Sequence, residues 1–208
     1  MRHLATALVM LVSMIMTGAA AAQISRYVEG THYFEVDTPV RTADSSRIEV
    51  IELFWYGCLS CYVFEPLISS WESNQAGDVD HKRLPAVGNS ITTIHAQAFY
   101  AAQALDALDA VHNPFFDEIH QNRNQLNSEV LIREFFESCG ISEQDFDRVF
   151  NSFSVRTRVN QAASLIRDYG VGQTPTMYVN GKYVVTLAVG SYQEMLNVVD
   201  YLVDLERG

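Results

Sequence analysis

The chain changes hydrophobic rhythm several times, and each change marks an element. Tyr33–Val36 reads as a short strand and Arg47–Tyr56 as a stronger one, because its Ile, Val, Leu, Phe and Trp content predicts burial on both faces. Cys61–Trp71 then follows a helical period, with Pro66 inside it predicting a kink. Val79–Leu84 is a further strand. From about Ser90 to Tyr169 the period stays near 3.6. Ala-rich His95–Leu108 comes first, then Pro114 opening Phe115–Gln121, then Ser128 capping Glu129–Cys139. Ser142 with Asp145 forms a capping pattern ahead of Phe146–Phe150, and Val155, Val159, Ala162, Ile166 and Tyr169 make one apolar stripe that stops at Gly170. Asn180-Gly181 between Thr176–Val179 and Lys182–Val185 predicts a hairpin, since that dipeptide supplies both positive-φ positions of a type I′ turn. Ser191–Glu206 closes the pattern as an amphipathic helix.

The first residues follow a different logic. Met1-Arg2-His3 precedes the apolar run Leu4–Met16 and the small residues Thr17–Ala22. This predicts an export signal, residues 1–22, cut before Gln23; an uncleaved anchor is the alternative, disfavoured by the shortness of the run. The remaining 186 or so of 208 residues fit one domain, or one domain with a sizeable insertion. A formal charge of −11, which loses only Arg2 with the signal, argues against nucleic acid or an anionic membrane as partner.

Three cysteines in an exported chain cannot staple a fold, so each carries its own meaning. Cys139 lies in step with Leu131 and Phe135 just before Gly140, which predicts a buried, inert thiol. Cys58-Leu59-Ser60-Cys61 directly follows the apolar run Val50–Tyr56. Thiols three positions apart at a helix start come within disulfide reach, and the positive end of the helix favours a thiolate at Cys58. A structural zinc would need four ligands, and His32, His81, His95, His112, His120 and Cys139 are scattered singly, so no metal site is expected. Glu52 is the one charge in Val50–Tyr56; buried there, its pKa should rise.

Glu52–Cys61, the helical block and Gln173-Thr174-Pro175-Thr176-Met177-Tyr178-Val179-Asn180-Gly181 together resemble the DsbA-type thiol:disulfide oxidoreductases. The resemblance covers nearly all of the chain after the signal. It implies an α/β thioredoxin-like fold with an inserted helical domain, divided as residues 23–89 and 161–208 for the thioredoxin-like part and 90–160 for the insertion. It also implies Cys58 as exposed nucleophile, Cys61 as buried resolving thiol, and Pro175 as a cis-proline facing the disulfide, with the Thr174 backbone free to pair with an extended substrate. Glu52 becomes a proton-shuttling acid near Cys61 with Lys82 as its cationic neighbour. No cofactor beyond the Cys58–Cys61 disulfide is implied. The implied partners are reduced or misfolded exported proteins in the periplasm and a DsbB-like membrane protein that reoxidises the pair.

The chain departs from that family between the cysteines, where oxidising members carry Pro-His. Leu59 offers no donor to a Cys58 thiolate and Ser60 only a hydroxyl, which predicts a less oxidising couple. Isomerase or reductase activity, a two-thiolate metal carrier and a noncatalytic chaperone are the alternatives. An isomerase of the dimeric type needs a dimerisation segment that this chain does not show, so a monomeric oxidase is the expectation.

Overall fold

The computed structural model describes residues 26–208, so the expected export signal lies outside the described residues. The elements are β1 (Phe34–Glu35), β2 (Ile48–Phe54), α1 (Leu59–Ser73), β3 (Val79–Pro85), α2 (Ser90–Ala104), α3 (Leu108–His120), α4 (Glu129–Ser138), α5 (Glu143–Phe150), α6 (Phe153–Tyr169), β4 (Thr176–Val179), β5 (Tyr183–Thr186) and α7 (Tyr192–Arg207). The strands form one sheet in the order β1-β5-β4-β2-β3. Only β2 and β3 run parallel, joined through α1; the other pairs are antiparallel.

Every residue of β2 is buried, which is why its sequence reads as a continuous apolar run with no clean alternation. Side chains of even number, Ile48 and Val50, pack with Phe64, Ile68 and Trp71 of α1 and with Met195, Val199 and Leu202 of α7. Ile51 and Leu53 point the other way, into a second core with Phe99, Phe116, Phe136 and Phe146 from the helices inserted between β3 and β4. Among the described residues no helix is long and apolar enough to cross a membrane.

Four boundaries differ from the sequence expectations. The helix expected at His95 begins at Ser90, because Asn89 and Thr92 cap each other reciprocally and so pull its start back into a polar segment. That helix ends at Ala104, ahead of Asp106 at φ +54°, so Leu108 belongs to the next element. Pro114 does not open α3 but lies inside it, the helix starting six residues earlier at Leu108 with Asp109 in its first turn. The hairpin turn holds both positive-φ residues, Asn180 and Gly181, and also takes in Lys182, so β5 begins at Tyr183. Cys139, expected buried, caps the end of α4 and is half-buried, with partial burial pushing its thiol pKa up.

Candidate active site

The two cysteines owe their position to how β2 ends. Trp55–Gly57 turns the chain out of the sheet, and the Cys58 N–H donates to the Trp55 carbonyl at 2.9 Å. Gly57 is required because a methyl group there would lie 2.3 Å from the Trp55 ring. Cys58 is the N-cap of α1 in extended conformation, so its sulfur stands at the helix's positive end, facing unpaired N–H groups. One turn on, Cys61 is wholly buried. Both thiols are free.

The environments of the two sulfurs are opposed. Cys58 is half-buried and its pKa is pulled from 9.0 to about 5, mainly because the Cys61 thiol donates to it, with help from the Thr174 side chain and the backbone N–H groups of Cys61 and Ser60. Burial pushes the Cys61 pKa far up, and the neighbouring sulfur and Glu52 push it further. Ser60 thus acts on Cys58 through its backbone. Across the site, the Cys58 thiol also approaches the Thr174 carbonyl at 3.4 Å, just before a cis Thr174–Pro175 bond that leads into β4.

Glu52 lies on β2 with no exposure, and neither carboxylate oxygen accepts a hydrogen bond. Its pKa rises from 4.5 to about 8, first through burial and then through the charge of Glu65, with Arg83 opposing. Lys82 is not its neighbour, contrary to the sequence expectation. The parallel register sets Arg83 opposite Glu52 and Lys82 opposite Ile51, so Lys82 faces the other side of the sheet and pairs with Glu49 and Asp80. Arg83 approaches Glu52 at 3.7 Å and binds Glu65 and Glu72 more closely, at 3.0 Å each.

Sequence reasoning missed Arg83, Glu65 and three histidines that hold the loop between β2 and α1. His95 accepts from the Trp55 indole at 3.1 Å and donates to the Gln125 carbonyl, while burial lowers its pKa to about 4 and keeps it neutral. His120 donates to the Tyr56 carbonyl at 2.8 Å and stacks on Tyr62 at 4.8 Å. His112 meets the Tyr56 hydroxyl at 2.8 Å. Glu65 had a sequence signal, one turn beyond Cys61 on the same helix; the histidines had none. Among the described residues, no cluster of three or more His, Cys, Asp or Glu side chains has the geometry of a metal site.

A family profile described as "DSBA-like thioredoxin domain" matches residues 78–200. The thiol:disulfide interchange protein DsbA of Pseudomonas aeruginosa is 37% identical over 188 residues, spanning 90% of this chain and 89% of that one. The protein of the same description from Azotobacter vinelandii is 37% identical, spanning 86% and 84%. The crystal structure of P. aeruginosa DsbA superposes with a TM-score of 0.84 at 36% identity over 87% of this chain and 95% of that one. That of the oxidoreductase DsbA from Xylella fastidiosa gives 0.79 at 30% identity, over 85% and 95%. The fold is therefore thioredoxin-like with an inserted set of helices, and the chain belongs to the DsbA-like family of thiol:disulfide oxidoreductases, with Cys58 and Cys61 as its redox pair.

Proposed function

We propose that this protein oxidises cysteine pairs of exported proteins in the periplasm, with Cys58 as the attacked and released sulfur and Cys61 as the resolving one. The observation that carries the reading is the asymmetry of the pair: a half-buried sulfur with its pKa drawn to about 5, beside a wholly buried one with its pKa pushed up. A sulfur of low pKa is the better leaving group, and its accessibility fixes which end of the disulfide a substrate meets.

In the cycle, a substrate thiolate attacks Cys58 of the disulfide. The Cys58–Cys61 bond breaks, a substrate–Cys58 bond forms, and Cys61 leaves as a thiolate that takes its proton from the neutral Glu52 carboxyl. A second substrate thiolate then attacks the substrate sulfur, closing the substrate disulfide and releasing Cys58 as a thiolate. Two electrons have passed to the pair, so no cofactor beyond the disulfide is needed. A DsbB-like membrane protein would take those electrons onward. The Thr174 backbone, whose carbonyl lies 3.4 Å from the Cys58 sulfur, would pair with an extended substrate chain in this reading.

The N-terminal pattern of Arg2, Leu4–Met16 and Ala20–Ala22 supports export. Residues 23–89 with 161–208 act as the catalytic unit in this reading, and 90–160 as the inserted domain. Leu59-Ser60 supplies no side-chain cation to Cys58, which favours a couple less oxidising than a Pro-His pair would give. The test is Cys61→Ser with Cys58 first charged as an aromatic mixed disulfide: a substrate thiolate should displace the aromatic thiolate and leave a substrate–Cys58 disulfide that Cys61 is no longer there to break. Absence of adducts, with the variant folded, rejects the mechanism.

A further inference from the structure

The position of His112 is not explained by clamping alone. Of the three histidines that hold the loop, His95 and His120 bind only the indole, backbone carbonyls and a stacking ring. His112 alone also reaches a carboxylate, with Nε2 at 3.4 Å from Glu65 Oε2, a close polar approach without hydrogen-bond geometry. We propose that His112 is a positioning residue for the redox pair: anchored by Tyr56, it shares Glu65 with Arg83 and so governs how much of the Arg83 charge reaches Glu52.

Ionised Glu65 only accepts, so Nε2 must carry the proton that faces it; Nδ1 is then the acceptor for the Tyr56 hydroxyl at 2.8 Å. The ring is held edge-on by Phe54 and Phe116 and is nearly without exposure, so it has little freedom to turn away. Glu65 receives three polar neighbours: Arg83 at 3.0 Å, Ser69 at 2.8 Å and His112. They hold it ionised, below the ordinary carboxylate range despite burial.

Arg83 is the one arginine among three carboxylates. It hydrogen-bonds Glu65 and Glu72, while Glu52 receives only its Nε at 3.7 Å. Anything that satisfies Glu65 from another side relaxes its hold on Arg83, and Glu52 gains. The groups facing Glu52 can be named for each element around it. β3 gives Arg83, with His81 two residues back and 3.2 Å from Glu72. α1 and its N-cap give Cys58, Cys61, Glu65 and Glu72; the loop after β2 gives Tyr56; α3 gives His112. β4 gives the neutral Met177, opposite Glu52 in register. Deleting the His112 ring nitrogens leaves Glu65 leaning on Arg83, which should make Glu52 harder to ionise.

This inference rests on reading Glu52 as the acid that protonates Cys61. The test follows the glutathione equilibrium of the full chain across roughly pH 6 to 10, corrected for the ionisation of glutathione's own thiol, so that a remaining inflection reports a coupled group of the protein. Glu52→Gln should abolish the inflection. His112→Phe, which keeps a ring among the aromatics, should move it up by about one pH unit, a tenfold change in proton concentration. Tyr56→Phe should move it the same way by less, and His112→Gln, which retains an N–H, should restore it in part. An inflection that persists in Glu52→Gln overturns both the reading of Glu52 and this proposal. One that is lost there but unmoved in His112→Phe and Tyr56→Phe overturns the proposal alone. Tyr56→Phe, which removes one hydroxyl, carries the test if His112→Phe does not fold.

Discussion

Glu52→Gln should change the stability of this protein in a pH-dependent way whose size follows from the site. In the dithiol form Glu52 has its pKa raised from 4.5 to about 8 by burial and by Glu65. The folded state therefore holds a proton that the unfolded chain gives up above 4.5. Between those two values folding binds protons, so stability from this group is fully present below about pH 4.5 and drains away as pH rises towards 8. Three to four tenfold steps at about 1.36 kcal/mol each amount to about 5 kcal/mol. That is an upper bound, because structure and water relax around a charge forced to form inside. A glutamine has nearly the same shape and no charge at any pH, and Arg83 keeps Glu65 and Glu72 as partners.

The assay is urea unfolding of both proteins with the cysteines reduced, at several pH values across that window, comparing midpoints at constant slope. The difference between variant and parent cancels every other titrating group. It should be near zero at the acid end and grow to about 3–5 kcal/mol in favour of Glu52→Gln at the alkaline end. In the oxidised protein the Cys58 thiolate is gone, and with it one of the charges that raises Glu52, so the growth should be smaller. Parallel curves for the two reduced proteins would mean that Glu52 is ionised throughout, and the neutral-acid role would fail.

Other outcomes follow from the same geometry. Alkylation of Cys58 should be half-maximal near pH 5 while Cys61 stays unreactive; a midpoint near the ordinary thiol value of 9 would contradict the pairing of sulfur with donors described above. Gly57→Ala drives a methyl group into the Trp55 ring, and should lower stability by about 1–3 kcal/mol in thermal unfolding, as overpacking does. Installing Leu59→Pro with Ser60→His adds a donor beside Cys58, so the glutathione equilibrium should move towards the dithiol protein; no movement would free the intervening dipeptide from any role in setting the couple.

What could be read along the chain was what depends on neighbours in sequence. Cys58 and Cys61 reveal themselves by spacing, Asn180-Gly181 by its turn chemistry, and Glu52 by being a charge inside an apolar run. The pairing of strands has no such local trace. Lys82 and Arg83 are adjacent cations on one strand, and only the alignment of β2 with β3 decides which of them meets Glu52; a shift of one residue exchanges their faces. Pro114 misled for a related reason, since Leu108–Asn113 forms helix ahead of it through packing of Val111 and His112.

The histidines mark where reading from sequence stops. His95, His112 and His120 follow no ligand spacing, and each taken singly is a polar residue on an apolar helix face. Folding brings all three to the two residues Trp55 and Tyr56, so the inserted helices do more than close a core over the sheet. They fix the loop from which α1 starts, and α1 starts at Cys58. A thiolate gains from a helix end only while its sulfur stays in line with the free N–H groups, an effect that fades within one turn. A loop held at three points keeps that alignment while substrate chains come and go, which is the physical reason for this redox pair to lie under helices lying far along the sequence from it.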